Sequence, residues 1–126
     1  MGLLRHDAKS LALFRAIYRK ILGTSVADSG TEMYLWQARD WAARFSQERP
    51  EDVWLAEWVG RLDAAVRSPE GLEALRSLML STDQHAIDMR SSSPFAMVLT
   101  TRERTQVLLD FEQKWREGQW DDGRAA

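Results

Sequence analysis

Apolar side chains recur at intervals of three and four residues along nearly the whole chain, which is the spacing of one face of an α-helix. In one segment, for example, Leu55, Trp58, Leu62 and Val66 form such a stripe. No segment alternates apolar and polar residues over a convincing length for a β-strand. The sequence therefore predicts an all-α fold, a compact bundle of about five or six helices.

Capping residues and prolines divide this pattern into individual helices. The first helix is predicted from about Asp7 to Leu22, ending at Gly23, and the last from Thr100 to about Glu117, ending at Gly118. Thr100 and Glu103 have the spacing of a capping box. The starts of the four helices between them are signalled by Thr31, Pro50, Ser68-Pro69, and the pair Ser81 and Gln84, the last opening a short helix over 82–90.

Length and composition define the class of protein. A chain of 126 residues fits one domain, so residues 1–126 are predicted to form a single helical domain with a disordered tail from about residue 119. It has no cysteine, which excludes disulfides, thiolate metal sites and cysteine nucleophiles. No apolar run approaches the roughly 20 residues of a membrane span, and the N-terminus has no secretory signal. We expect a cytoplasmic protein without a membrane partner.

The sequence offers little for catalysis. Phosphate-binding loops, dinucleotide fingerprints, nucleophile elbows and zinc-protease motifs are all absent. The two histidines are far apart, and no second histidine lies one turn from His85, so we interpret it as a surface or cap histidine. The predicted function is therefore non-enzymatic, with no cofactor, metal or small-molecule substrate.

Charge is concentrated on the first helix. One half of its helical wheel is apolar, and the other half carries a set that we call the basic face: Arg5, Lys9, Arg15, Arg19 and Lys20. On the helical wheel, small alanines lie between these cations, so we expect the basic face to be flat and open; they are Ala8, Ala12 and Ala16. Cations one turn apart can neutralise a nucleic-acid backbone without reading its sequence. The alternative is a solvated face of a helix packed on the core.

Six tryptophans are many for so small a domain, and tryptophan is enriched at protein interfaces. Trp36 lies opposite the stripe of Tyr34, Trp41 and Phe45, on the side of Arg39, and Trp120 lies beyond the last helix. Each is either an anchor for a partner or a folded-back lid. Arg104 shares the wheel sector of Phe111, so it is expected to cap a partner or a neighbouring helix. The predicted protein-interface residues are Trp36, Arg39, Arg104 and Trp120.

Two segments resemble a known family. Phe95–Phe111, with Arg102-Glu103-Arg104 as its densest part, and the opening-helix segment Ala12–Ala16 resemble the small helical subunit of class 1, Cascade-like CRISPR–Cas effector complexes (types I, III and IV). The resemblance implies a non-catalytic subunit that scaffolds a crRNA-guided ribonucleoprotein. Its partners would be other subunits, further copies of itself, and the backbone of the crRNA or of the target or displaced strand.

The leading functional hypothesis is therefore such a small subunit, with the basic face contacting nucleic acid non-specifically. The alternative is a helical protein-interaction module, such as a phage inhibitor, an immunity protein or an adaptor, without nucleic-acid binding. In that case Trp36 and the acidic segment 47–70 would form the working surface.

Overall fold

A computed structural model describes residues 3–23 and 30–121, and within these ranges the chain forms six α-helices and no strand. This confirms the predicted all-α bundle. The helices are α1 (Arg5–Gly23), α2 (Gly30–Glu48), α3 (Val53–Arg67), α4 (Pro69–Leu80), α5 (Gln84–Ser91) and α6 (Thr101–Arg116).

Several helix ends lie where their capping residues predict. The Ser68 side chain accepts a hydrogen bond from the Gly71 amide at 3.0 Å, and Pro69 follows as the first residue of α4. Thr100 and Glu103 form the complete capping box of α6. Gly118 ends α6 with a φ of 68°, and the amides of Gly118 and Gln119 bond back to Trp115 and Lys114 in a Schellman motif.

Three other starts differ from the prediction. Pro50 lies in the turn before α3, and the carboxylate of Asp52 caps the helix by accepting from two amides. Likewise Asp83 rather than Ser81 caps α5. α2 begins at Gly30, one residue before the position predicted as its cap. An ionised carboxylate near a helix N-terminus also gains from the helix dipole, which favours aspartate over its neighbours.

The main core lies between α1, α2, α3, α4 and α5. At its centre the ring of Trp58 is fully buried beside Phe14 and Phe95, and its indole N–H donates to the Met89 carbonyl at 2.8 Å. The buried line of α2 is Leu35, Ala38 and Ala42, whereas the predicted stripe residues Tyr34, Trp41 and Phe45 are only half-buried.

A second, smaller core joins α6 to α1. Phe111 is buried there against Ala8 and Ala12, with Trp115 and Trp120 packed around it. Among the six described helices, α6 approaches only α1. The attachment of α6 therefore depends on the side of α1 that carries the basic residues.

None of the helices in the described ranges is both long enough and apolar enough to cross a membrane.

Candidate functional site

The basic face of α1 is covered by α6 instead of being open. Ala8 and Ala12, two of the alanines between its cations, are 0% and 7% exposed because Phe111 packs on them. An alanine presents only a methyl group, so a neighbouring helix can pack close against it. Ala8 and Ala12 were predicted to be part of a flat phosphate-binding surface, but they form the surface on which α6 packs.

Cations near the start of α1 are paired with α6. The Arg5 guanidinium forms an ion pair with Glu112, and the Lys9 ammonium lies 3.8 Å from the same carboxylate. The hydrogen bond from Arg5 is the largest cause that holds the pKa of Glu112 below its usual value. Both cations are therefore partly neutralised within the chain.

Near the end of α1, Lys20 is part of the α6 cap. Its ammonium lies 2.5 Å from the Glu103 carboxylate, which also accepts the Thr100 amide at 2.8 Å. The hydrogen bonds from Lys20 and from that amide lower the pKa of Glu103 to about 2. Lys20 consequently fixes the start of α6 against α1.

Arg15 holds a folded-back Trp120. The guanidinium carbon of Arg15 lies 4.9 Å from the Trp120 ring centre, and one of its N–H groups donates to the Asp121 carbonyl at 2.6 Å. The indole ring also packs edge-on against Phe111 at 5.0 Å. Within the described residues, Trp120 therefore covers the second core, as expected of a folded-back lid. Residues 122–126 of the predicted disordered tail lie outside the described residues.

Arg19 is the remaining member of the basic face. Its side chain is exposed and has no ion pair or hydrogen bond with any residue in the described ranges. The structure therefore does not bring five free cations into one stripe.

Arg104 does not cap a neighbouring helix. Its side chain is exposed at the start of α6 and forms no ion pair with the described part of the chain, although Phe111 in the same predicted sector is buried. It lines one edge of a cleft between α1 and residues 93–99.

Trp36 lies on the outer side of α2, as the helical wheel predicts, and is 43% exposed. The Arg39 guanidinium lies 5.9 Å from its ring centre, and Arg39 Nε donates to the Asp63 carboxylate of α3 at 2.8 Å. The hydrogen bond that Arg39 donates to Asp63 raises the pKa of Arg39. Arg39 thus contacts both Trp36 on α2 and Asp63 on α3.

Further apolar surface lies on the same side of the molecule. Met33, one turn before Trp36, is 50% exposed, and Met97 in the segment after α5 is 73% exposed. A groove of about 260 Å³ runs between α2 and this segment, with Trp41 in its lining. We call the following residues the α2 surface: Met33, Trp36, Gln37, Asp40, Arg44 and Met97.

Sequence reasoning missed parts of this surface for identifiable reasons. Met33 is three residues before Trp36, so the wheel that exposed Trp36 also contained a signal for Met33. Met97 lies outside the helices, where periodicity gives no signal. Arg90 was also missed, because a buried arginine on a short helix looks like a surface residue in a sequence.

The described residues contain no group of three or more histidine, aspartate or glutamate side chains that could hold a metal ion. His85 instead pairs with Glu57 at 2.6 Å and packs edge-on against Trp54. Comparisons with protein-family models, curated proteins and solved structures found no match to this chain. Any functional proposal therefore depends on the surfaces themselves.

Proposed function

We propose that the protein is a non-catalytic helical interaction module that binds a protein partner in the cytoplasm through the α2 surface. The observation that carries this proposal is the exposure of Trp36 beside Met33 and an apolar groove. Large exposed apolar groups that lie together on a soluble domain are typical of binding sites.

Trp36 has the properties of an interface anchor. Tryptophan is among the residues that most often dominate binding energies, and its truncation typically costs 2 kcal/mol or more at such positions. Its contact with Arg39, itself fixed by Asp63, limits the freedom of the ring before binding. A side chain that is already ordered loses less entropy when a partner covers it.

The surroundings of the groove indicate the chemistry of the partner. Trp41 and Met97 offer apolar contact inside and beside it, while Asp40 and Arg44 place one charge of each sign in its lining. A partner with an apolar side chain flanked by a basic and an acidic group would match this arrangement.

Scaffolding within a crRNA-guided complex would use the same kind of surface, so the small-subunit hypothesis remains a special case of this proposal. Its nucleic-acid contact has less support, because Arg5, Lys9, Arg15 and Lys20 are all engaged with α6 or the segment that follows it. Arg19 is the residue on which that contact would now depend.

The experiment compares Trp36→Ala with Leu109→Ala, which removes a 59% exposed apolar side chain from α6. Partners retained by the tagged wild-type chain in its own cells would be purified, and their affinity for each variant measured by calorimetry. We expect Trp36→Ala to weaken binding about 30-fold and Leu109→Ala to leave it unchanged. Circular dichroism would verify that both variants are folded.

Equal binding by wild type and Trp36→Ala would contradict the proposal. So would a purified nucleic acid whose binding falls on Arg19→Glu but not on Trp36→Ala, an outcome that would instead support the contact expected of a small subunit.

A further inference from the structure

An elongated cleft of about 280 Å³ lies on the side of α1 next to residues 93–99. Its α1 lining extends from His6 to Ile17, which corresponds to about three helical turns or roughly 16 Å. The volume is slightly below the range of about 300–1,000 Å³ that is usual for small-molecule sites. The cleft is separate from the α2 surface, with which it shares no residue.

The ionisable residues that line this cleft are all basic. They are His6, Lys9, Arg90 and Arg104. Two serine hydroxyls, from Ser10 and Ser93, add neutral polar groups, and no carboxylate is among the lining residues that the structure describes. On a chain with a net charge of −2, such a one-sided lining is not explained by overall composition.

The rest of the lining is apolar. Phe14 and Phe95 form part of it while remaining buried, and Leu13 and Leu99 lie half-buried beside them. The cleft therefore combines an apolar floor with cationic edges, which is the usual pattern of a site that orients a ligand by a few polar groups.

Arg90 is the least expected member of the lining because it is only 4% exposed. One of its terminal nitrogens donates hydrogen bonds to the carbonyls of Met79 and Ser81, which lie at the C-terminal end of α4. Its Nε and its other terminal nitrogen are buried without a hydrogen-bond partner in the described structure. Buried donors of a charged group are costly when unpaired.

Nearby acids only partly compensate this charge. Burial lowers the pKa of Arg90, and the carboxylates of Asp7 and Asp83 oppose that shift without forming an ion pair with it. Asp7 lies 2.9 Å from His6, and Glu112 is shared between Arg5 and Lys9. Arg90 and Arg104 are therefore the two lining cations that form no ion pair within the described residues.

We infer that this cleft binds a small organic anion, in which a carboxylate, sulfonate or phosphate group meets the basic edges and an apolar body lies on the phenylalanine floor. Cationic side chains over a partly water-excluded surface favour such a ligand because charge attraction is stronger there than in bulk water. The site is independent of protein binding by the α2 surface.

The test uses a matched pair of fluorescent probes. Anilinonaphthalene sulfonate carries an anionic group on an aromatic body, and phenylnaphthylamine has the same aromatic body without the charge. Titration of the full chain with each probe is expected to give at least tenfold tighter binding of the sulfonate, with an affinity that falls as salt is added.

Two double variants with the same change in net charge locate the site. Lys9→Gln with Arg104→Gln removes two lining cations, whereas Arg102→Gln with Lys114→Gln removes two exposed cations of α6 that do not line the cleft. Because an exposed charge pair contributes up to about fivefold in affinity, the first double variant should weaken sulfonate binding about tenfold. The second should change it less than twofold.

Three results would overturn the inference: equal binding of both probes, equal weakening by the two double variants, or loss of sulfonate binding in Trp36→Ala. The third would place the probe on the α2 surface. Phe14 and Phe95 amide shifts in two-dimensional NMR spectra provide a second measurement, which is expected to move on addition of the sulfonate.

Discussion

Replacing Phe111 by alanine should release α6 from the bundle while the other helices stay folded. Phe111 is 2% exposed and lies at the centre of the contact between α6 and α1. Because α6 approaches no other described helix, its attachment depends mainly on Phe111, which is its one buried side chain, with Val107 and Trp115 only partly buried beside it. The perturbation therefore acts on one cooperative unit of the fold rather than on the whole.

The expected magnitude follows from this packing. Truncation of a buried phenylalanine costs about 3–5 kcal/mol, which includes its edge-on contact with Trp120 at 5.0 Å. The remaining links between the helices are the partly buried side chains of Val107 and Trp115 and the ion pairs of Glu112 and Glu103 with α1. Such exposed pairs contribute about 0–1 kcal/mol each, so they cannot replace the lost burial.

Native-state amide exchange is the suitable assay because it reports each helix separately. In Phe111→Ala, amides of α6 should exchange about 100- to 4,000-fold faster than in the wild type, while those of α3 and α4 keep their protection. The matched control is Phe95→Ala, which removes a 1% exposed phenylalanine from the main core. That variant should lower protection in all helices.

A uniform loss of protection across α3, α4 and α6 in Phe111→Ala would contradict the independent release of α6. It would mean that the second core is an inseparable part of the first, and that the attachment of α6 does not depend on α1 alone.

Three further predictions concern single positions. Arg15→Ala should lower the free energy of unfolding in urea by about 0.5–1 kcal/mol because it loses the Trp120 contact. Arg19→Ala, the control, should change that free energy by less than about 0.5 kcal/mol. Equal losses would contradict the different environments of the two arginines. The pKa of Glu103 is lowered from 4.5 to about 2 in the folded state, so its contribution to the stability of the fold is complete above about pH 4.5 and is lost as the pH falls toward 2. Glu103→Gln should therefore reduce the fall of the urea midpoint between these pH values. A fall of the same size in the variant would exclude Glu103 as its source. A Cβ on Gly71 would clash with a carbonyl oxygen of α3, so Gly71→Ala should lower the free energy of unfolding by about 1–3 kcal/mol in thermal unfolding. Gly60→Ala places its methyl group in open space and should raise that free energy by about 0.5–1 kcal/mol. A Gly71→Ala variant more stable than Gly60→Ala would disprove the close approach of α4 to α3.

The helices and several of their ends could be predicted from the sequence. Ser68 with Pro69, Thr100 with Glu103, and Gly118 each act on amides or carbonyls within a few residues, so the relevant partners are readable in a short window. The exposure of Trp36 could be predicted on the same basis, since the faces of one helix follow from its own periodicity.

The contacts of the basic face of α1 with α6 and Trp120 could be seen only in the tertiary structure. A helical wheel ranks its sides by polarity, but alanines and long cations suit both water and a neighbouring helix that carries acids. Only the placement of α6 brings Glu112 to Arg5, 107 positions earlier in the chain, and lays Trp120 on Arg15. The cleft beside Arg90 likewise depends on the placement of α5, of residues 93–99 and of the start of α6 next to α1. Contacts of this kind arise from the three-dimensional packing of distant segments, and so the periodicity of a single helix carries no record of them.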